Sequence, residues 1–259
     1  MKLFFRLISV LLVAGGLGLS LPATAAEATA NVTFATDYRF RGISQGDRSA
    51  AVQGGFDWAA DNGFYVGTWA SNVTFSGAAM ELDIYAGFGG DLTENSAYDV
   101  GVLYYAYPED DATDFDGTDR DLDYVELYGS VSLGDGTLGF AYSPDYFYET
   151  DTFFYFYGDY SIALNDNWSI DLHYGINMFD NEEVGADFGI GQCRAAAANG
   201  ECANGTEDAY SDWSVGVSTS AGGLDFSLQY IDTDLDDQDC FGGTQLCDAT
   251  AVFSVSKSL

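Results

Sequence analysis

The stretch 31–45, NVTFATDYRFRGISQ, places large apolar side chains at Val32, Phe34, Tyr38 and Phe40 and polar or charged ones at Thr33, Asp37, Arg39 and Arg41. Successive side chains of a β-strand point to opposite faces, so this order gives one apolar and one charged face. A helix would set Asp37 and Arg41 beside Phe34 and Tyr38 and mix the two. The segment therefore predicts a strand with Asp37, Arg39 and Arg41 on its polar side.

The same alternation returns along the chain. In 79–91 the apolar Met80, Leu82, Ile84 and Phe88 oppose Glu81, Asp83 and Tyr85, and in 96–107 Val100, Val102 and Tyr104 oppose Asp99. In 153–164 Phe154, Phe156 and Ile162 oppose Tyr155 and Asp159; in 167–178 Ile170, Leu172 and Ile176 oppose Asp171 and His173; in 223–231 Leu224, Phe226 and Leu228 oppose Asp225. Weaker versions occupy 50–59, 64–73, 121–133, 137–144, 210–220 and 249–259, so about twelve strands are expected. Every second connection is short and turn-like, at Asp61-Asn62, Leu92 to Asn95, Gly134-Asp135, Asn165-Asp166 and Ala221-Gly222. The long segments 108–120, 179–209 and 232–248 all fall in the other set. Short turns at one end and long loops at the other are expected of a closed antiparallel up-and-down transmembrane β-barrel. Strands of ten or more residues suit a tilted crossing of hydrocarbon, where the sheet has to close to pair its backbone. A soluble sandwich, the rival all-β reading, usually has shorter strands.

Residues 1–25 read as a secretory signal: Lys2 and Arg6, an apolar run from Leu7 to Leu21, then Ala23-Thr24-Ala25. Residues 26–259 are then one exported barrel domain. The net charge is −33, and all 41 acids lie beyond Ala26, with six of the eight basic residues. This composition excludes nucleic acid as a partner, since phosphate binding needs a basic footprint. In an exported chain Cys193, Cys202, Cys240 and Cys247 read as disulfides. Their spacings favour Cys193–Cys202 and Cys240–Cys247, though three pairings are open and a metal site is the alternative.

The stretch Thr36–Gln45, TDYRFRGISQ, resembles the signature of the TorF family, a proteobacterial group of outer-membrane barrels. The likeness extends to 63–73, GFYVGTWASNV, to ELDIYAGFGG around Glu81, Asp83 and Tyr85, and to 98–108, YDVGVLYYAYP. The resemblance implies a pore-forming barrel with no settled substrate and no catalytic residues. One departure is the C-terminus, VFSVSKSL, where an aromatic last residue is common; Phe253, Val255 and Leu259 keep the alternation for the barrel-assembly machinery.

The interior candidates are Asp37, Arg39, Arg41, Asp57, Glu81, Asp83, Asp99, Glu126, Asp159, Asp171, His173, Asp212 and Asp225. An acid excess there predicts cation preference. Tyr85, Tyr105, Tyr155 or an infolded 179–209 segment would narrow the interior. The acidic runs Asp114, Asp116, Asp119, Asp121, Asp123 and Asp232, Asp234, Asp236 have alternate spacing but lack the glycine and final glutamate of a calcium loop, so a solvated surface is favoured. No catalytic, cofactor or metal residue is expected: His173 is the only histidine and lacks a paired serine arrangement. The partners expected are outer-membrane lipid, lipopolysaccharide and small hydrophilic solutes passing by diffusion. The rival function is a closed structural or adhesive barrel acting through its acidic loops.

Overall fold

Twelve antiparallel strands close on themselves in the computed structural model, which describes residues 27–75, 77–108, 110, 121–179, 209–235, 240–241 and 243–259. In chain order they are β1 (Glu27–Ala35), then β2 (Arg39–Phe40) and β3 (Ile43–Ser44), which form a separate hairpin, then β4 (Ala51–Ala59), β5 (Phe64–Phe75) and β6 (Ala78–Thr93). The wall continues with β7 (Ser96–Ala106), β8 (Tyr124–Leu133), β9 (Gly136–Ser143), β10 (Phe153–Ala163) and β11 (Trp168–Phe179). It ends with β12 (Ala209–Ala221), β13 (Leu224–Thr233) and β14 (Thr250–Ser258), which pairs back onto β1. Each wall strand pairs with its neighbours in sequence, apart from the skip over β2 and β3 and the closing pair. The expected signal segment, Cys193, Cys202, Asp114, Asp116, Asp119, Asp236 and most of 179–209 lie outside the described residues.

Alternation makes the barrel's two surfaces chemically distinct. All twelve wall strands present exposed large apolar groups outward, among them Phe34, Val52, Phe56, Val66, Ile84, Val102, Leu127, Phe140, Phe156, Ile176, Val217, Leu228 and Phe253. Phe56 is 70% exposed and Leu138 66%. A water-soluble monomer rarely exposes an apolar patch of more than a few hundred Å². Apolar groups that would meet across the layers of a sandwich thus face away from the protein. The opposite positions turn inward, where Tyr65, Glu81, Tyr85, Tyr105, Glu126, Tyr155 and Asp212 are all buried.

Short turns stand at Ala60–Gly63, Glu94-Asn95, Gly134-Asp135, Leu164–Asn167 and Gly222-Gly223, within the expected set except that the last begins one residue after Ala221. They mark one end of the barrel, the turn end. The other, the loop end, carries the short connection 76–77 and the connections 36–50, 107–123, 144–152, 180–208 and 234–249. One expectation is corrected here. The segment 31–45 is not a single strand: β1 stops at Ala35, and residues 36–50 turn inside the barrel at the loop end. Backbone bonds from Gln45 to Thr74 and from Ser44 to Leu246 fix that inward course, Gln45 O accepting from Thr74 N at 2.8 Å and Leu246 O from Ser44 N at 2.9 Å.

Candidate functional site in the barrel interior

The inward hairpin is built on a two-residue turn. Arg39 pairs with Ser44 and Phe40 with Ile43, leaving Arg41 and Gly42 at the centre with φ of 47° and 85°. Positive φ at both central residues is the type I′ arrangement that tight hairpins favour. Glycine is required at 42 on a second ground. A Cβ there would strike the side chains of Thr233 and Asp212, so the tip seats directly on β12 and the end of β13.

Asp37, Arg39 and Arg41 therefore reach the interior on this hairpin, not on the face of β1. Arg39 Nε donates to Asp37 Oδ2 at 2.6 Å, and its Nη1 to the carbonyls of Gly42, Leu246 and Asp248 at 3.0, 2.7 and 3.1 Å. Burial lowers the Arg39 guanidinium from its ordinary range, and the Asp37 carboxylate opposes that shift. Leu246 and Asp248 flank Cys247, whose bond to Cys240 is one of the two pairings expected. Arg41, 2% exposed, reaches across to β8, where its Nη2 lies 2.8 Å from Glu126 Oε1. The guanidinium carbon stands 4.6, 4.7 and 4.4 Å from the ring centres of Phe40, Phe153 and Tyr155. Tyr210 Oη donates to the Arg41 carbonyl at 3.1 Å. Tyr38 Oη donates to Glu81 Oε1 at 2.6 Å, and Tyr107 Oη to Glu81 Oε2 at 2.8 Å. Around these polar links Tyr38, Phe40 and Ile43 join Tyr105, Tyr107, Tyr124, Tyr146, Phe153 and Phe179 in one buried cluster. Burial pushes the Tyr146 phenol, on the 144–152 connection, up to about 12. The hairpin thus fills the loop-end half of the interior as a plug with its own core.

The remaining acids divide by depth. Glu81, Asp83, Glu126 and Asp212 are buried beside the plug, while Asp57, Asp99, Asp159, Asp171 and Asp225 sit nearer the turn end and are only partly buried. Nearly all have a donor. Tyr85 Oη donates to Asp57 and Tyr65 Oη to Asp99. Ser218 Oγ donates to Asp171 at 2.6 Å, and Ser220 Oγ donates to Asp225. His173 stands between two carboxylates, its Nδ1 2.7 Å from Asp159 and its Nε2 3.0 Å from Asp212, with Tyr155 Oη 2.9 Å from Nε2. Asn177 Nδ2 donates to Asp212 Oδ2 at 2.8 Å. Asp83 alone of this set receives none, and its Oδ1 is buried without a donor. Glycines make room for the inward rings: a Cβ at Gly87 would strike Tyr65, and one at Gly175 would strike Tyr155.

The expected narrowing groups Tyr85, Tyr105 and Tyr155 do point inward, and the hairpin plugs the interior among the described residues; all but the ends of the 179–209 segment lie outside them. The roles of Tyr38, Tyr107 and Trp69 were missed. The available signal was the phase change at Gly42, since Tyr38 and Phe40 fall on even positions and Ile43 on an odd one. On the loop surface, Asp110 joins Asp121 and Asp123 with carboxylate oxygens within 4.8 Å of one another. Asp123 also accepts from Tyr104 Oη and, at 2.7 Å, from Tyr107 N.

A bacterial family of unknown function, Gcw_chp, matches residues 20–259 by its sequence model. The chain belongs to the Gcw_chp family. No curated protein matches this Gcw_chp member in sequence. Among solved structures it is similar to the NanC porin, at a TM-score of 0.49 and 9% identity, over 89% of this chain and 98% of that one. The KdgM porin follows at 0.48 and 8% identity, over 89% and 97%. LpxR from Salmonella typhimurium stands at 0.42 and 9%, over 89% and 99%. The architecture of the Gcw_chp chain itself rests on its own closed strand order.

Proposed function

We propose that this Gcw_chp protein lies in the outer membrane of a Gram-negative bacterium, exported by its N-terminal segment, and serves as a passive channel for small hydrophilic solutes with a preference for cations. One observation carries the reading: every wall strand divides its side chains between an apolar exterior and an interior rich in carboxylates. The exterior suits acyl chains, and the interior suits water. Asp57, Asp99, Asp159, Asp171 and Asp225 give the turn-end vestibule a negative field, which favours cations at close quarters. In this conformation the plug closes the loop-end mouth, so conduction needs the hairpin to shift. The TorF-like signature at Thr36–Gln45 supports the same assignment and coincides with the plug.

The plug also favours a second reading, a closed barrel acting through its acidic loops, because its core is continuous with the wall. Planar-bilayer recording of the refolded protein separates the two. Discrete conductance steps, with a reversal potential in a KCl gradient that reports K⁺ over Cl⁻, are the expected result. Anion preference rejects the cation assignment, and a silent, correctly folded barrel supports the closed reading.

A further inference from the structure

Asp83 marks a binding position that the plug and vestibule share. It is 8% exposed on β6, and its register neighbours are Trp69 on β5 and Tyr105 on β7. Directly opposed residues of an antiparallel pair hold their side chains within contact reach, so the carboxylate stands between two aromatic groups. Trp69 is only partly buried and borders both the plug cluster and the cluster of Tyr65 and Tyr85 below it. The position is therefore the floor of the plug and the ceiling of the vestibule. Every other interior acid has a donor, yet Asp83 has none among the described residues. The protein's own interior cations are committed elsewhere, Arg39 to Asp37, Arg41 to Glu126 and His173 to Asp159 and Asp212. A buried carboxylate with neither donor nor cation either takes up a proton or recruits a cation, and the place of Asp83 facing the turn-end interior opens the second course.

The chemistry of that cation follows from the walls. A hard divalent ion takes six or more oxygens, and among the described residues Asp83 belongs to no group of three converging ligands. One carboxylate beside an indole and a phenol matches an ammonium group, whose charge is attracted to both a negative oxygen and aromatic faces. We propose that Asp83, Trp69 and Tyr105 bind the ammonium head of a small organic cation entering from the turn end. This rests on the proposed cation-preferring interior for its ligand class, though not on conduction.

Isothermal titration of the whole barrel in non-ionic detergent, at constant ionic strength, tests it with tetramethylammonium chloride against sodium chloride as probes. Wild-type protein should bind tetramethylammonium at least tenfold more tightly than sodium. Asp83→Asn should weaken that binding at least tenfold, Trp69→Leu several-fold, and Asp135→Asn, in a remote turn, should leave it unchanged. Heat-modifiable gel migration verifies that each variant is folded. If Asp83→Asn does not fold, the wild-type comparison still decides: no tetramethylammonium binding, or equal affinity for sodium, overturns the proposal. Undiminished binding by folded Asp83→Asn overturns it as well. Because the readout needs no current, a silent bilayer removes the channel reading alone, and a conducting barrel that binds no ammonium removes this site alone.

Discussion

Replacing Arg41 by alanine should loosen the plug without dismantling the wall. The guanidinium and Glu126 are both 2% exposed, and their nearest atoms are 2.8 Å apart. Without Arg41, Glu126 would keep only the Tyr105 hydroxyl, at 3.2 Å. Breaking a buried pair by removing one partner costs about 3–5 kcal/mol, because the other charge is left uncompensated. The lost contacts with Phe40, Phe153 and Tyr155 add to that. If the hairpin swings out, Glu126 regains water, so the cost falls on docking and not on the sheet. At 1.36 kcal/mol per decade, the undocked fraction should rise by a factor of roughly 150 to 5,000. Amide hydrogen exchange across 36–50 measures this directly, and single-channel recording should show a raised open fraction. The control is Arg48→Ala, whose partner Asp248 is 3.4 Å away with both side chains about a third exposed. Such a surface pair contributes less than about 1 kcal/mol. If the two variants exchange alike over 36–50, the latch reasoning is wrong.

Other substitutions probe other parts of the structure. Changing Cys240 and Cys247 to serine removes the tie beneath the carbonyls that hold Arg39, a loss of about 2–3 kcal/mol by the loop-closure argument; urea titration should register it, with faster proteolysis near 240–248. Phe156→Arg places a charge on the outer face of β10, where Phe156 is 48% exposed, and should cost about 2–4 kcal/mol in lipid vesicles. An unchanged stability for that variant would argue against acyl contact. Gly42→Val adds strain at positive φ and strikes Thr233, so hydrogen exchange over 36–50 should rise while the heat-modifiable gel shift persists.

The wall was legible because its signal is local. Period-two alternation in 96–107 or 167–178 needs no knowledge of distant residues, and the short turns at Gly134-Asp135 and Gly222-Gly223 confirm the phase independently. The plug was not legible for the same reason. Asp37, Arg39 and Arg41 alternate with Tyr38 and Phe40 as a wall strand would, and beyond the phase change at Gly42 only the distant partners Glu126, Asp212 and Leu246 distinguish a hairpin folded inside. Depth was equally hidden: Asp83 and Asp99 each sit between two apolar neighbours in sequence, but one is buried beneath the plug and the other is only partly buried nearer the turn end.

The junction between first and last strands joins Asn31–Ala35 to Ser254–Ser258, five residues a side, whereas β11 and β12 register over eleven. Each backbone hydrogen bond contributes about 1 kcal/mol net, so even with the added bonds of Ala30 to Leu259 and Thr36 to Phe253 this line parts more easily than the β11–β12 pair. Parting it would turn the cylinder into a curled ribbon with two bare borders, each a template for a strand from another chain. Strand exchange, whether with an insertion catalyst or a neighbouring copy, would begin where β1 meets β14.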